Sequence, residues 1–121
     1  MPLKVTGEDI ERAERTIDAA DLLRHNANVV EAACDLAGPH DIVVAVVTPE
    51  LEFSGAEILP LGDLHRYVAA LVPGGWHQVF SPRTAKDEVD QRCRSMEQTA
   101  RARLDAMRRW LARRPESGDP V

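Results

Sequence analysis

The stretch Asp41–Leu71, DIVVAVVTPELEFSGAEILPLGDLHRYVAAL, decides the fold. Its first part, Ile42-Val43-Val44-Ala45-Val46-Val47-Thr48, is an apolar, β-branched run too short for a helix of its own. Such a run predicts a strand covered on both faces. Pro49 ends it, and Glu50–Gly55 predicts a turn or hairpin loop. Glu57–Leu61 predicts a short second strand. Pro60 removes a ladder donor there and confines the segment to a sheet edge or a strand end. Gly62 and Asp63 then open a short helix with Leu64, Tyr67, Val68 and Leu71 on one face.

Upstream of this stretch the pattern is helical. Thr6 is placed to cap a helix, with Asp9 three residues on as its capping-box partner. Ile10, Ala13, Ile17, Ala20, Leu23, Ala27, Val30 and Cys34 recur at steps of three and four, one apolar stripe that stops at Gly38-Pro39. Asn26 and Asn28 are poor helix formers, so a break is expected near His25–Asn28.

Downstream, Pro73-Gly74-Gly75 breaks the short helix and Trp76–Phe80 reads as a loop or a short strand. Thr84 and Asp87 mark the start of a last helix. Val89, Cys93, Met96, Ala100, Leu104, Met107 and Leu111 form its stripe, and Pro115 stops it. Thirty residues of helix would extend roughly 45 Å, more than a small domain is wide, so part of it is expected to project or to pack on another chain. The predicted class is α/β in the α+β sense, with the order α-β-β-α-α and a small sheet flanked by two long amphipathic helices. Residues 1–115 read as one domain and 116–121 as a polar tail.

The 121 residues are 44% hydrophobic and 29% charged, the balance of a folded protein. No apolar run approaches the roughly 20 residues of a membrane span, and the N-terminus MPLKVTGEDI lacks the regions of a signal peptide. A cytoplasmic location is therefore expected. Cys34 and Cys93 stand apart with no CxxC, which predicts two reduced thiols. The net charge of -5 is unevenly spread: residues 1–60 carry 4 basic and 12 acidic side chains, and residues 61–121 carry 11 and 8. An acidic first helix and a basic last helix are expected to attract each other.

From about Glu11 to Arg92, the strand at Asp41–Thr48, the helix start Gly62-Asp63-Leu64-His65-Arg66-Tyr67-Val68-Ala69-Ala70-Leu71 and the Ser81-Pro82 start resemble the C-terminal half of the nuclease-related (NERD) domain. That domain is a branch of the PD-(D/E)xK nuclease superfamily. The family's metal-binding carboxylates and ExK lysine precede this half. The local approximation in this chain is Asp41 and Glu52, with Ser54 in the lysine's place. The resemblance therefore implies a fold remnant or a non-catalytic relative.

Other chemistry finds little support in the spacing. His25, His40, His65 and His77 form no i, i+3 or i, i+4 pair, so no metal site is expected. Ser54 and Ser81 lack a Gly-x-Ser-x-Gly context. Pro73-Gly74-Gly75-Trp76 reads as a structural turn with a buried Trp76. The expected function is a small non-catalytic interaction protein, a homodimer or partner of another protein, with no cofactor. Its interface would be the α-helical stripe at Val89, Met96, Leu104, Met107 and Leu111. The alternative is a nucleic-acid accessory protein contacting phosphates through Arg101, Arg108, Arg109 and Arg113.

Overall fold

A computed structural model describes residues 4–113. The expected stop at Pro115 and the polar tail at 116–121 lie outside the described residues. The first helix, α1 (Gly7–His25), starts with a complete capping box. The Asp9 N–H donates to Thr6 Oγ1 at 3.2 Å and the Thr6 N–H donates to the Asp9 carboxylate at 2.9 Å. At Asn26 the chain turns, with the side-chain amide donating back to the Leu22 carbonyl at 2.9 Å. Helix α2 (Ala27–Leu36) resumes directly. The single stripe read from sequence is thus two helices with the break at Asn26.

The strand β1 (Asp41–Val47) leads through a tight loop into β2 (Phe53–Pro60). In that loop the Thr48 N–H donates to the Glu52 carbonyl at 2.9 Å, and Thr48 Oγ1 accepts the Glu52 N–H at 3.1 Å. A 3-10 turn (Leu61–Asp63) precedes the short helix α3 (Leu64–Ala69), then β3 (Trp76–Phe80) and the long α4 (Lys86–Arg113). The fold is α+β, with a three-stranded antiparallel sheet in the order β2-β1-β3. Trp76–Phe80, left open between loop and strand by its sequence, is the third strand, and β2 begins at Phe53, four residues before the expected start. Pro60 closes β2 on an outer strand, as its missing N–H requires.

The central position of β1 explains its unbroken apolar run. Val43 lies opposite Ile58 and Phe80, Ala45 opposite Ala56 and Gln78, and Val47 opposite Phe53 and Trp76. Those three β1 residues share one face, where they pack with Leu23 of α1, Val30 and Cys34 of α2, and Val89 and Cys93 of α4. Ile42, Val44 and Val46 face the other way; Val46 lines a small cavity of about 340 Å³ together with Val68 and Leu71. Both long helices therefore cover the same face, and α3 lies on the opposite one.

Helices α1 and α4 run antiparallel. Arg108 of α4 pairs with Glu14 of α1 at 3.2 Å, while Arg24 at the far end of α1 acts on Cys93. The start of α4 is capped from outside: the Lys86 N–H donates to Glu31 Oε2 of α2 at 2.8 Å. Thr84, the cap expected from sequence, is buried and its hydroxyl donates to the Ser81 carbonyl at 2.7 Å. An orphan helix N–H takes whichever acceptor the tertiary fold brings closest, and here that is a carboxylate favoured by the helix dipole.

Candidate functional site

The site begins with a turn that only glycine permits. Gly74 has φ +92, and a Cβ on Gly75 would stand 2.5 Å from the Val47 carbonyl oxygen. This close approach delivers Trp76 under α1 at the end of β3. The indole is buried and its Nε1–H donates to Thr16 Oγ1 at 2.9 Å. The Thr16 hydroxyl in turn donates to the Arg12 carbonyl at 2.7 Å. The Arg12 guanidinium lies 4.0 Å over the Trp76 ring and donates to the carbonyls of Gly74 and Gly75 at 2.6 and 2.8 Å. Arg15, one turn on, donates to the Pro49 carbonyl. From the other side, Arg92 of α4 lies 4.4 Å over the Phe80 ring and donates to the Val79 carbonyl at 2.5 Å and to Gln78 Oε1 at 2.9 Å.

These three arginines share an electrostatic property. Each is held by neutral oxygens, although the chain has 20 acidic residues against 15 basic ones. Arg24, Arg66, Arg101 and Arg108, by contrast, pair with carboxylates. A carbonyl orients a guanidinium without cancelling its charge, so the Gly-Gly turn and the β3 edge keep a fixed positive field. Burial and the neighbouring Arg15 lower the Arg12 pKa from its ordinary value. The guanidinium nevertheless remains cationic at neutral pH.

Between α1, β3 and α4 lies a groove of about 1020 Å³. On α4 the lining residues Arg92, Met96, Thr99, Arg103, Ala106 and Trp110 follow one helical face. From Arg92 to Trp110 that face extends about 27 Å. On α1 the wall is built by Asp9, Arg12, Ala13 and Thr16, and β3 supplies Trp76 and Gln78. Among the described residues, apolar side chains make the floor, with cations at Lys4, Arg12, Arg92 and Arg103 and one acid, Asp9, already engaged in the α1 cap.

The residues singled out from sequence fall in several places. Asp41 and Glu52 are not brought together: Asp41 starts β1, its carboxylate accepting the Gly38 N–H at 2.8 Å, and Glu52 sits in the loop beyond the far end of that strand. The strand between them is about 20 Å long. No cluster of His, Cys, Asp or Glu suited to a metal ion occurs among the described residues. Arg101 pairs with Glu97 at 2.8 Å and Arg108 with Glu14, while Arg109 and Arg113 are exposed. Val89 and Leu104 are buried within the chain, Met96 and Met107 are half-buried along the groove, and Leu111 is exposed. Cys34 and Cys93 are free and buried; burial raises both thiol pKa values, that of Cys93 to about 11. Neither thiol is poised as a nucleophile at neutral pH.

Sequence reasoning missed the arginine clamps. Pro73-Gly74-Gly75-Trp76 was the available signal, since a glycine pair beside a tryptophan marks a close backbone approach. Nothing near Arg12 in the chain announces that its partners lie more than sixty residues away.

No family model, no curated protein and no solved structure matches the chain. The fold and the groove define a class by their own geometry: an α+β domain carrying a cationic cleft lined with methionine and tryptophan. No helix among the described residues is long and apolar enough to cross a membrane.

Proposed function

We propose that the chain is a small non-catalytic interaction protein that self-associates through the α2–β2 side of the molecule. One observation carries this reading: an exposed apolar strip lies beside an outer strand. Val29 and Leu36, seven residues apart on α2, are 48% and 79% exposed, and Ile58 on β2 and Leu61 just after it are 37% and 58% exposed. Among the described strands β2 pairs with β1 alone, so its outer row of backbone N–H and C=O groups has no strand beside it. Antiparallel strand pairing is two-fold symmetric and therefore suits an isologous contact between identical chains. Pairing β2 with its copy would extend the sheet and bring the two α2 strips together over the new seam.

Light scattering tests it. The expected particle has twice the 13.4 kDa mass of one chain, at low and at high salt, because apolar burial is not screened. The double variant Leu36→Asp, Ile58→Asp is expected to be a monomer with an unchanged far-UV spectrum. A wild-type chain that stays monomeric up to its solubility limit ends the proposal.

A further inference from the structure

We infer that the groove between α1, β3 and α4 receives an acidic amphipathic helix of a partner protein. This surface lies on the β3 side, away from the α2–β2 strip, and the inference does not rest on self-association.

Three features of the groove point to that occupant. Its long dimension follows one face of α4 for about 27 Å, the length of roughly 18 helical residues. Small side chains, Ala13, Thr16, Ser95, Thr99 and Ala106, line it and let a helical backbone come close. Met96, Met107 and Trp110 supply apolar anchoring surface of an adaptable kind.

Charge selects the partner's chemistry. Among the described residues Lys4, Arg12, Arg92 and Arg103 line the groove, and the one lining acid, Asp9, is bound to Thr6. Arg12 and Arg92 are held at the groove by carbonyl oxygens and aromatic rings. An acidic helix would meet these charges along its flanks while its apolar stripe covers the floor. A second copy docked by the same groove would set the four cations of one chain against the same four of the other. An isologous contact of that kind is repulsive.

A display library of 18-residue helical peptides, selected against the full chain at physiological salt, tests the inference. The expected binders carry apolar residues at i, i+3, i+4 and i+7 flanked by Asp or Glu, and shift the emission of Trp110. Arg103→Glu, a change at an exposed position, should weaken them by roughly tenfold or more, since an attraction to the acidic flank becomes a repulsion. Leu36→Ser, on the opposite side, should leave them unchanged. Failure to enrich any peptide, enrichment of neutral or basic ones, or equal binding to Arg103→Glu overturns the inference. So does Arg103-dependent binding of an 18-nucleotide single strand or of palmitate that is tighter than that of every selected peptide. Loss of a wild-type dimer in Arg103→Glu would also overturn it, by assigning the groove to a second copy; loss in Leu36→Asp, Ile58→Asp alone concerns the other surface.

Discussion

The two edges of the sheet are built on opposite principles. Among the described residues no strand lies against the outer edge of β2, and apolar side chains of α2 and β2 stand beside it. At β3 arginines reach the outer side: Arg92 takes the Val79 carbonyl, and Arg12 takes both carbonyls of the glycine pair that leads into the strand. A strand edge with one of its acceptors held by a cation, and cations over its entry, is a poorer template for another strand. The same cations, held by neutral groups, remain available to an anionic partner. One small sheet thus carries two kinds of edge, apolar and strand-like on one side, cationic on the other.

Mutations that test this comparison should differ most in stability. Phe80 is 1% exposed beneath Arg92, and Ile58, its counterpart across Val43, is 37% exposed. Phe80→Ala is expected to cost about 3–5 kcal/mol in urea unfolding, as for a buried aromatic in a close-packed core. Ile58→Ala, measured on the monomer, should cost under about 1 kcal/mol. Equal losses at the two positions would mean that the β2 edge is as buried as the β3 edge and would remove the contrast.

Gly75→Ala strikes the β3 edge through its backbone. The new methyl would stand 2.5 Å from the Val47 carbonyl, and the turn must move, taking the Arg12 anchor with it. A loss of about 1–3 kcal/mol is expected, together with weaker binding of groove peptides and an unaltered solution mass. Normal stability in Gly75→Ala would show that the turn is not the constraint that sets Arg12.

The smallest expected effect belongs to the core the two edges share. Burial raises the Cys93 thiol to about 11 in the folded chain, while an unfolded thiol ionises near 8.5. Below about pH 8.5 both states hold the proton and the contribution to stability is complete. As pH rises from there towards 11, the unfolded chain gives up its proton first and stability falls. At pH 9.5 the wild type should have lost about 1 kcal/mol more than Cys93→Ala, relative to pH 7.5. Parallel pH curves for the two chains would place Cys93 in a solvated environment.

Much of the architecture was legible from local pattern. The Thr6–Asp9 capping box, the break at Asn26, the strand at 41–47 and the stripe of α4 all follow from side chains within a few residues of each other. These signals depend on helical or extended geometry alone, and that geometry is periodic. The third strand was harder to read because Trp76-His77-Gln78-Val79-Phe80 is short and alternates only partly. It becomes a strand through its backbone pairing with β1, from Val43 opposite Phe80 to Val47 opposite Trp76, along the edge that β2 leaves open.

What the sequence determined by itself was therefore the helices, the first two strands with Pro60 near the end of the second, and the opposite charges of the first and last helices. Tertiary structure alone decided that both long helices share one face, that Glu31 caps α4, and that Arg12 and Arg92 are clamped by carbonyls rather than by carboxylates. The physical reason lies in the acceptors. A backbone carbonyl exists at every residue and carries no sequence signature, so which one a guanidinium meets is settled only when distant segments pack together.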